Sequence, residues 1–119
     1  MKTLIVMLLA LLPAIALGQR LNHERFYQDE WCDRHGGETE VVQLDRTRVD
    51  CITYAHAIEF DFADKWAEAL GQALHYGRLT GLRAGIVLIV EDPGDLRYVQ
   101  RLVENIEHYS LPVDLFTTK

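Results

Sequence analysis

The chain has little cysteine and little positive charge. Its 119 residues include only two cysteines, and 12 Lys and Arg stand against 18 Asp and Glu, a formal charge of −6. That balance argues against broad, charge-driven nucleic-acid binding. The cysteines, Cys32 and Cys51, do not form a Cys-x-x-Cys pair, which disfavours a thiol redox enzyme. A zinc site could start from Cys32-x-x-His35, but two further ligands at finger spacing are missing. There is no repeat, no heptad run, no Gly-X-Y period and no Ser/Pro linker, so a fibre or a multi-domain array is excluded. With 49% hydrophobic and 25% charged residues, the composition is that of one small globular domain rather than a disordered chain.

A single long apolar run occurs, at the start. Lys2, then an almost wholly apolar stretch over residues 4–12, then Ala14-Ile15-Ala16-Leu17-Gly18 has the layout of a secretory signal peptide. The run is too short for a spanning helix. Small residues at Ala16 and Gly18 predict cleavage before Gln19, with cleavage after Ala16 as the alternative. The mature domain is then residues 19–119, exported to a periplasm or secreted, with no membrane segment of its own. Lys2 is the one charge in the leader, so the mature domain carries 11 basic and 18 acidic residues, a net −7. In an oxidising compartment an even pair of cysteines reads as a disulfide, Cys32 to Cys51, with two buried free thiols as the alternative.

Hydrophobic periodicity and turn residues divide the mature chain into eight elements. Asn22 is placed to cap a first helix that turns Phe26, Tyr27 and Trp31 inward and stops at Gly36-Gly37. Residues 39–44, 48–53 and 56–62 are rich in Val, Ile, Thr and aromatics and read as an antiparallel meander. Asp64 is placed to cap a helix reaching about Tyr76, closed by Gly77 and Gly81, with Trp66, Leu70, Ala73 and Leu74 on its apolar side. The unbroken apolar run over residues 84–90 suits a strand buried on both faces. Asp92-Pro93 opens a helix through Leu96, Val99, Val103 and Ile106, and residues 113–116 make a last strand. The order αβββαβαβ predicts an α/β fold with one mixed sheet and helices packed against it.

The chemistry is concentrated in residues 48–65. Strand alternation puts Glu59 and Asp61 on one face while Ile58, Phe60 and Phe62 take the other. A two-residue turn at Tyr54-Ala55 makes paired positions sum to 109, so Asp50 faces Glu59 and Arg48 faces Asp61. A longer turn would leave the acids diagonal. Two like charges directly opposite destabilise a sheet, and a divalent cation between them removes the penalty. Carboxylate oxygens are what Mg²⁺ or Mn²⁺ prefers. On the next helix Lys65, Glu68, Gln72 and Tyr76 share one stripe that could face these acids.

Asp50, the strand motif Glu59-Phe60-Asp61 and the helix motif Gln72-x-x-x-Tyr76, in an αβββαβ order, resemble the PD-(D/E)XK nuclease superfamily over essentially the whole mature chain. The resemblance implies a restriction-endonuclease-like αβββαβ core, extended here by a C-terminal helix and strand. It implies that Asp50 and Glu59 bind Mg²⁺, that Gln72 and Tyr76 support the site, and that DNA or another nucleic acid is the substrate. The family's motif lysine is replaced by Asp61, so Lys65 is the candidate for a migrated catalytic lysine, and Val49 stands in place of the motif proline.

Each residue also has a plainer reading. Asp61 either joins the metal or pairs with Arg48 as a cross-strand salt bridge. Glu40 is read as the solvent side of an edge strand, with a third metal-binding carboxylate as the alternative. Lys65 and Glu68 could be a solvated helix face, and Gln72 and Tyr76 ordinary packing. His23, His35, His56, His75 and His108 have no metal spacing and read as surface or core residues. For a nuclease of this charge, Arg46, Arg48, Arg78 and Arg83 would have to gather near the acids. The competing class is a nuclease-like fold with an incomplete site, used as an exported binding or interaction module.

Overall fold

The computed structural model describes residues 19–119; the expected leader, residues 1–18, lies outside them. The elements run α1 (Glu24–Arg34), β1 (Glu38–Val42), β2 (Arg48–Ile52), β3 (His56–Phe62), α2 (Trp66–Thr80), β4 (Arg83–Ile89), α3 (Leu96–Tyr109) and β5 (Val113–Thr118), with one-turn 3₁₀ segments leading into α2 and α3. One five-stranded sheet has the order β1-β2-β3-β4-β5. Its first three strands are antiparallel and its last two join in parallel, so the fold is α/β with a mixed sheet and three helices. No described helix is long and apolar enough to cross a membrane.

Both faces of the sheet are covered, which explains the composition of its middle strands. α1 lays Tyr27, Trp31 and Cys32 on Ile58, Phe60, Phe62, Val87 and Ile89. On the other face, Ala69 and Ala73 of α2 and Leu102 of α3 pack over Ala84, Ile86 and Leu88. β3 and β4 are therefore buried on both sides, and they pair in parallel over seven positions, from His56↔Arg83 to Phe62↔Ile89. Every even-numbered position of β3 from Ile58 on is apolar, whereas the opposite face carries Glu59 and Asp61 into the interior beneath α2.

Several local expectations are corrected. Phe26 is exposed, because α1 presents only Tyr27, Gln28, Trp31 and Cys32 to the sheet. Neither Asn22 nor Asp64 caps a helix: Asn22 Nδ2 donates to the Tyr27 hydroxyl, and Asp64 is taken by Arg20. α2 runs through Gly77 and ends where Gly81 adopts a left-handed φ of 71° that a residue with a Cβ resists. Asp92 does cap as expected, accepting from the Gly94 N–H in a reciprocal box with Asp95.

Candidate active site

Cys51↔Ile58 and Ile52↔Ala57 are the Cα pairs joining β2 to β3, and both sum to 109. Pairing stops there, short of Asp50. The Phe60 N–H, released from any strand partner on this side, donates instead to Asp50 Oδ2 at 2.8 Å. That bond holds the Asp50 carboxyl beside Glu59, close enough for the two acids to act on each other's ionisation. Glu59 is 5% exposed, and its Oε2 is buried with no hydrogen-bond donor.

Electrostatics follow from this geometry. Burial raises the Glu59 carboxyl far above the usual carboxylate range, and the Asp50 charge raises it further. Asp50 is raised as well, mainly by burial, with the Phe60 N–H pulling it back. Asp61 is pushed up to about 6 by burial, against the lowering effect of Lys65. Its Oδ1 accepts from the Phe62 N–H at 3.0 Å.

The other expected residues divide between the site and its surroundings. Tyr76 is buried, and its hydroxyl is pushed up to about 12 by burial and then by the negative charges of Glu59 and Asp50. Its O–H donates to Gln72 Oε1 at 3.4 Å, but Gln72 itself is exposed, so of the helix motif only Tyr76 stands beside the acids. Lys65 is exposed and makes no ion pair among the described residues, although its charge acts on Asp61 and Glu24. Arg48 does not pair with Asp61. Its side chain is exposed and lies 3.6 Å from Glu40, because β2 has already parted from β3 at that level. Arg83 is bound to Asp114, which also accepts from His56 at 2.7 Å, and Arg48 is held by Glu40, so neither is free to serve the acids.

Glu40 is neither a plain solvent-facing residue nor a member of the pair. It has a φ of 56°, a left-handed backbone rare within a strand, and the β1–β2 register passes over it between Thr39↔Cys51 and Val41↔Val49. Arg25 and Gln28 each donate to its Oε1 at 3.1 Å. Strain of this kind is held only where the surroundings over-determine it, and it clusters at functional sites.

Two residues of α1 join the site without having been singled out from the sequence. Glu24, in the first helical turn, has its carboxyl pushed up to about 7, first by burial and then by Asp61 and Asp50. An acid there is ordinarily a complement to the helix dipole, so its type gave no signal. Gln28 is buried and donates to the Asp50 carbonyl at 3.0 Å. Its signal was a polar residue four before Cys32 on a face otherwise made of Tyr27 and Trp31.

The expected disulfide is present, joining Cys32 of α1 to Cys51 of β2. Among the described residues, no group of three or more His, Cys, Asp or Glu side chains is gathered closely enough to hold a metal ion. The arrangement is thus a buried Glu59 beside a half-buried Asp50, with Asp61 and Glu24 near them, a Tyr on one side and an exposed Lys at the margin. No protein-family model, no curated protein and no solved structure matches the chain.

Proposed function

We propose that this protein is an exported, divalent-metal-dependent phosphodiesterase acting on nucleic acid, with a restriction-endonuclease-like core of the PD-(D/E)XK type. The observation that carries this reading is the Asp50–Glu59 pair: a half-buried acid beside a buried one, with the Glu59 Oε2 lacking a donor. Leaving such a group unsatisfied is costly, and proteins keep that cost chiefly where function needs it. The donor set, hard carboxylate oxygens, suits Mg²⁺ or Mn²⁺. Asp50 and Glu59 would hold the cation between them, with Asp61 adding negative charge nearby and not a third ligand. The metal would supply charge to a phosphoryl oxygen and lower the pKa of a bound water. Tyr76, buried beside the acids, would wall the site on the α2 side. Lys65 would offer a phosphate a positive charge at the margin, beside Asp61. The disulfide supports export, since such bonds persist in oxidising compartments.

A second reading, the same fold serving as an exported binding or interaction module, is favoured by the exposed Lys65 and by the engagement of Arg48 and Arg83 with other carboxylates. Without a cation the carboxyl groups of the site offer a phosphate backbone no attraction. Calorimetric titration with Mn²⁺ and Mg²⁺, beside Asp50→Ala and Glu59→Ala, separates the two when DNA and RNA cleavage is assayed on the same samples. The enzyme reading expects metal binding and cleavage, both lost in the two variants. A folded protein that neither binds metal nor cleaves removes that reading.

A further inference from the structure

Asp50 lacks the support a strand residue ordinarily has. The β1–β2 register passes over it and the β2–β3 register stops one residue short of it, so neither neighbouring strand pairs with it. What holds the chain at this point comes from α1. Gln28 and Cys32 lie one helical turn apart, on the buried face of that helix. Gln28, 2% exposed, donates from Nε2 to the Asp50 carbonyl at 3.0 Å, and Cys32 is bonded to Cys51, the next residue along β2. The same amide group also bonds Glu40 Oε1, fixing the distorted residue across from Asp50.

Resting on the reading of Asp50 and Glu59 as the working site, we propose that Gln28 and the Cys32–Cys51 bond form a clamp that positions Asp50, so that the acid pair is assembled only in the oxidised chain. In forming the bond the two Sγ atoms join, and two thiol protons and two electrons pass to a disulfide-bearing oxidant, which leaves as its dithiol. Both cysteines are fully buried, so the finished bond is shielded from thiol attack. The device is an assembly step and not a reversible sensor. For a hydrolase of nucleic acid it has a clear use: the chain is inert in the reducing compartment where it is made and becomes competent after reaching an oxidising one. Gln28 is a positioning residue here, acting through Asp50.

Amide hydrogen exchange followed by NMR tests the clamp, because the Phe60 N–H reports directly on the Asp50 carboxyl. Three samples are compared: the oxidised protein, the same protein reduced, and oxidised Gln28→Met, which keeps the disulfide. The Phe60 amide is expected to exchange at least about tenfold faster in the second and third samples, as loss of a hydrogen bond to a charged group implies. The Ile86 and Leu88 amides in the middle of β4 should keep their protection. Unchanged Phe60 exchange in either sample overturns the proposal. So does a general loss of protection on reduction, which would make the bond a staple of the whole fold. Mn²⁺ titration of the oxidised sample separates this claim from the functional one: absence of binding there ends the reading of the acid pair as a metal site, whereas the Phe60 rates judge the clamp.

Discussion

Glu59 is the residue at which burial and charge conflict most. In the folded chain Glu59, Asp50, Asp61 and Glu24 all keep their protons to higher pH than they do unfolded, chiefly because each is buried. Above the ordinary carboxylate range the folded state therefore binds more protons than the unfolded one, and stability falls as pH rises. For Asp61 and Glu24 this loss is complete above their folded values of about 6 and about 7, and for Glu59 it continues further. Asp45, lowered to about 2 by Thr47 and by His75, and Asp114, lowered by His56 and Arg83, act in the opposite sense. Their contribution is lost in acid. Thermal melts in metal-free buffer should thus peak at about pH 5 and decline toward about pH 8. Glu59→Gln keeps the shape and removes the titration, so it should flatten the alkaline decline and gain about 1–3 kcal/mol at the upper end. A variant that declines in parallel with the wild type would show that Glu59 does not govern that limb.

Among the elements, α1 does the most to shape the site. It covers one face of β3, brings Glu24 to the acids, and reaches β2 through Gln28 and Cys32. The turn that leads from α1 into β1 must pass close to the disulfide. A Cβ at Gly37 would stand 2.6 Å from Cys51 Sγ, 2.7 Å from Cys32 Sγ and 3.0 Å from the Ile52 carbonyl oxygen. None of these atoms is the loose end of a flexible chain. Gly37→Ala should therefore cost about 1–3 kcal/mol, seen as a lower urea midpoint with unchanged slope. A thiol assay on the same sample should find free cysteine where the wild type has none. A wild-type midpoint together with a full disulfide would mean that the turn can move aside.

For the molecule as a whole, a cation that binds only the folded acid pair stabilises every cooperative part of the fold. A ligand at a hundredfold excess over its Kd adds about 2.7 kcal/mol. Metal must displace protons from Glu59 and Asp50, so the gain should be larger at about pH 8 than at about pH 5, opposite to the metal-free trend. Scanning calorimetry with Mn²⁺ and with chelator, at both pH values, checks this. The Asp50→Asn and Glu59→Gln proteins should show no metal-dependent shift. An equal shift in those variants would place the cation elsewhere.

Period and punctuation in the sequence were enough for the order of the elements. Two-residue alternation over residues 56–62 put Glu59 and Asp61 on one face, the Tyr54-Ala55 turn implied the 109 register, and an even pair of cysteines implied the bridge. The first two are local properties, set by the backbone repeat or by a turn a few residues long, and the bridge followed from the cysteine count and the compartment. What the tertiary structure alone decided concerns groups far apart in the chain. The parting of β2 from β3 at Asp50 sends Arg48 to Glu40 and not to Asp61, and frees the Phe60 N–H to orient the acid. The left-handed backbone at Glu40, the burial of Gln28 and the approach of Glu24 all follow from how α1 lies across the sheet. No repeat along the chain encodes that placement, because it is fixed by side-chain packing between α1 and β3 and by a bond that closes a separation of 19 residues.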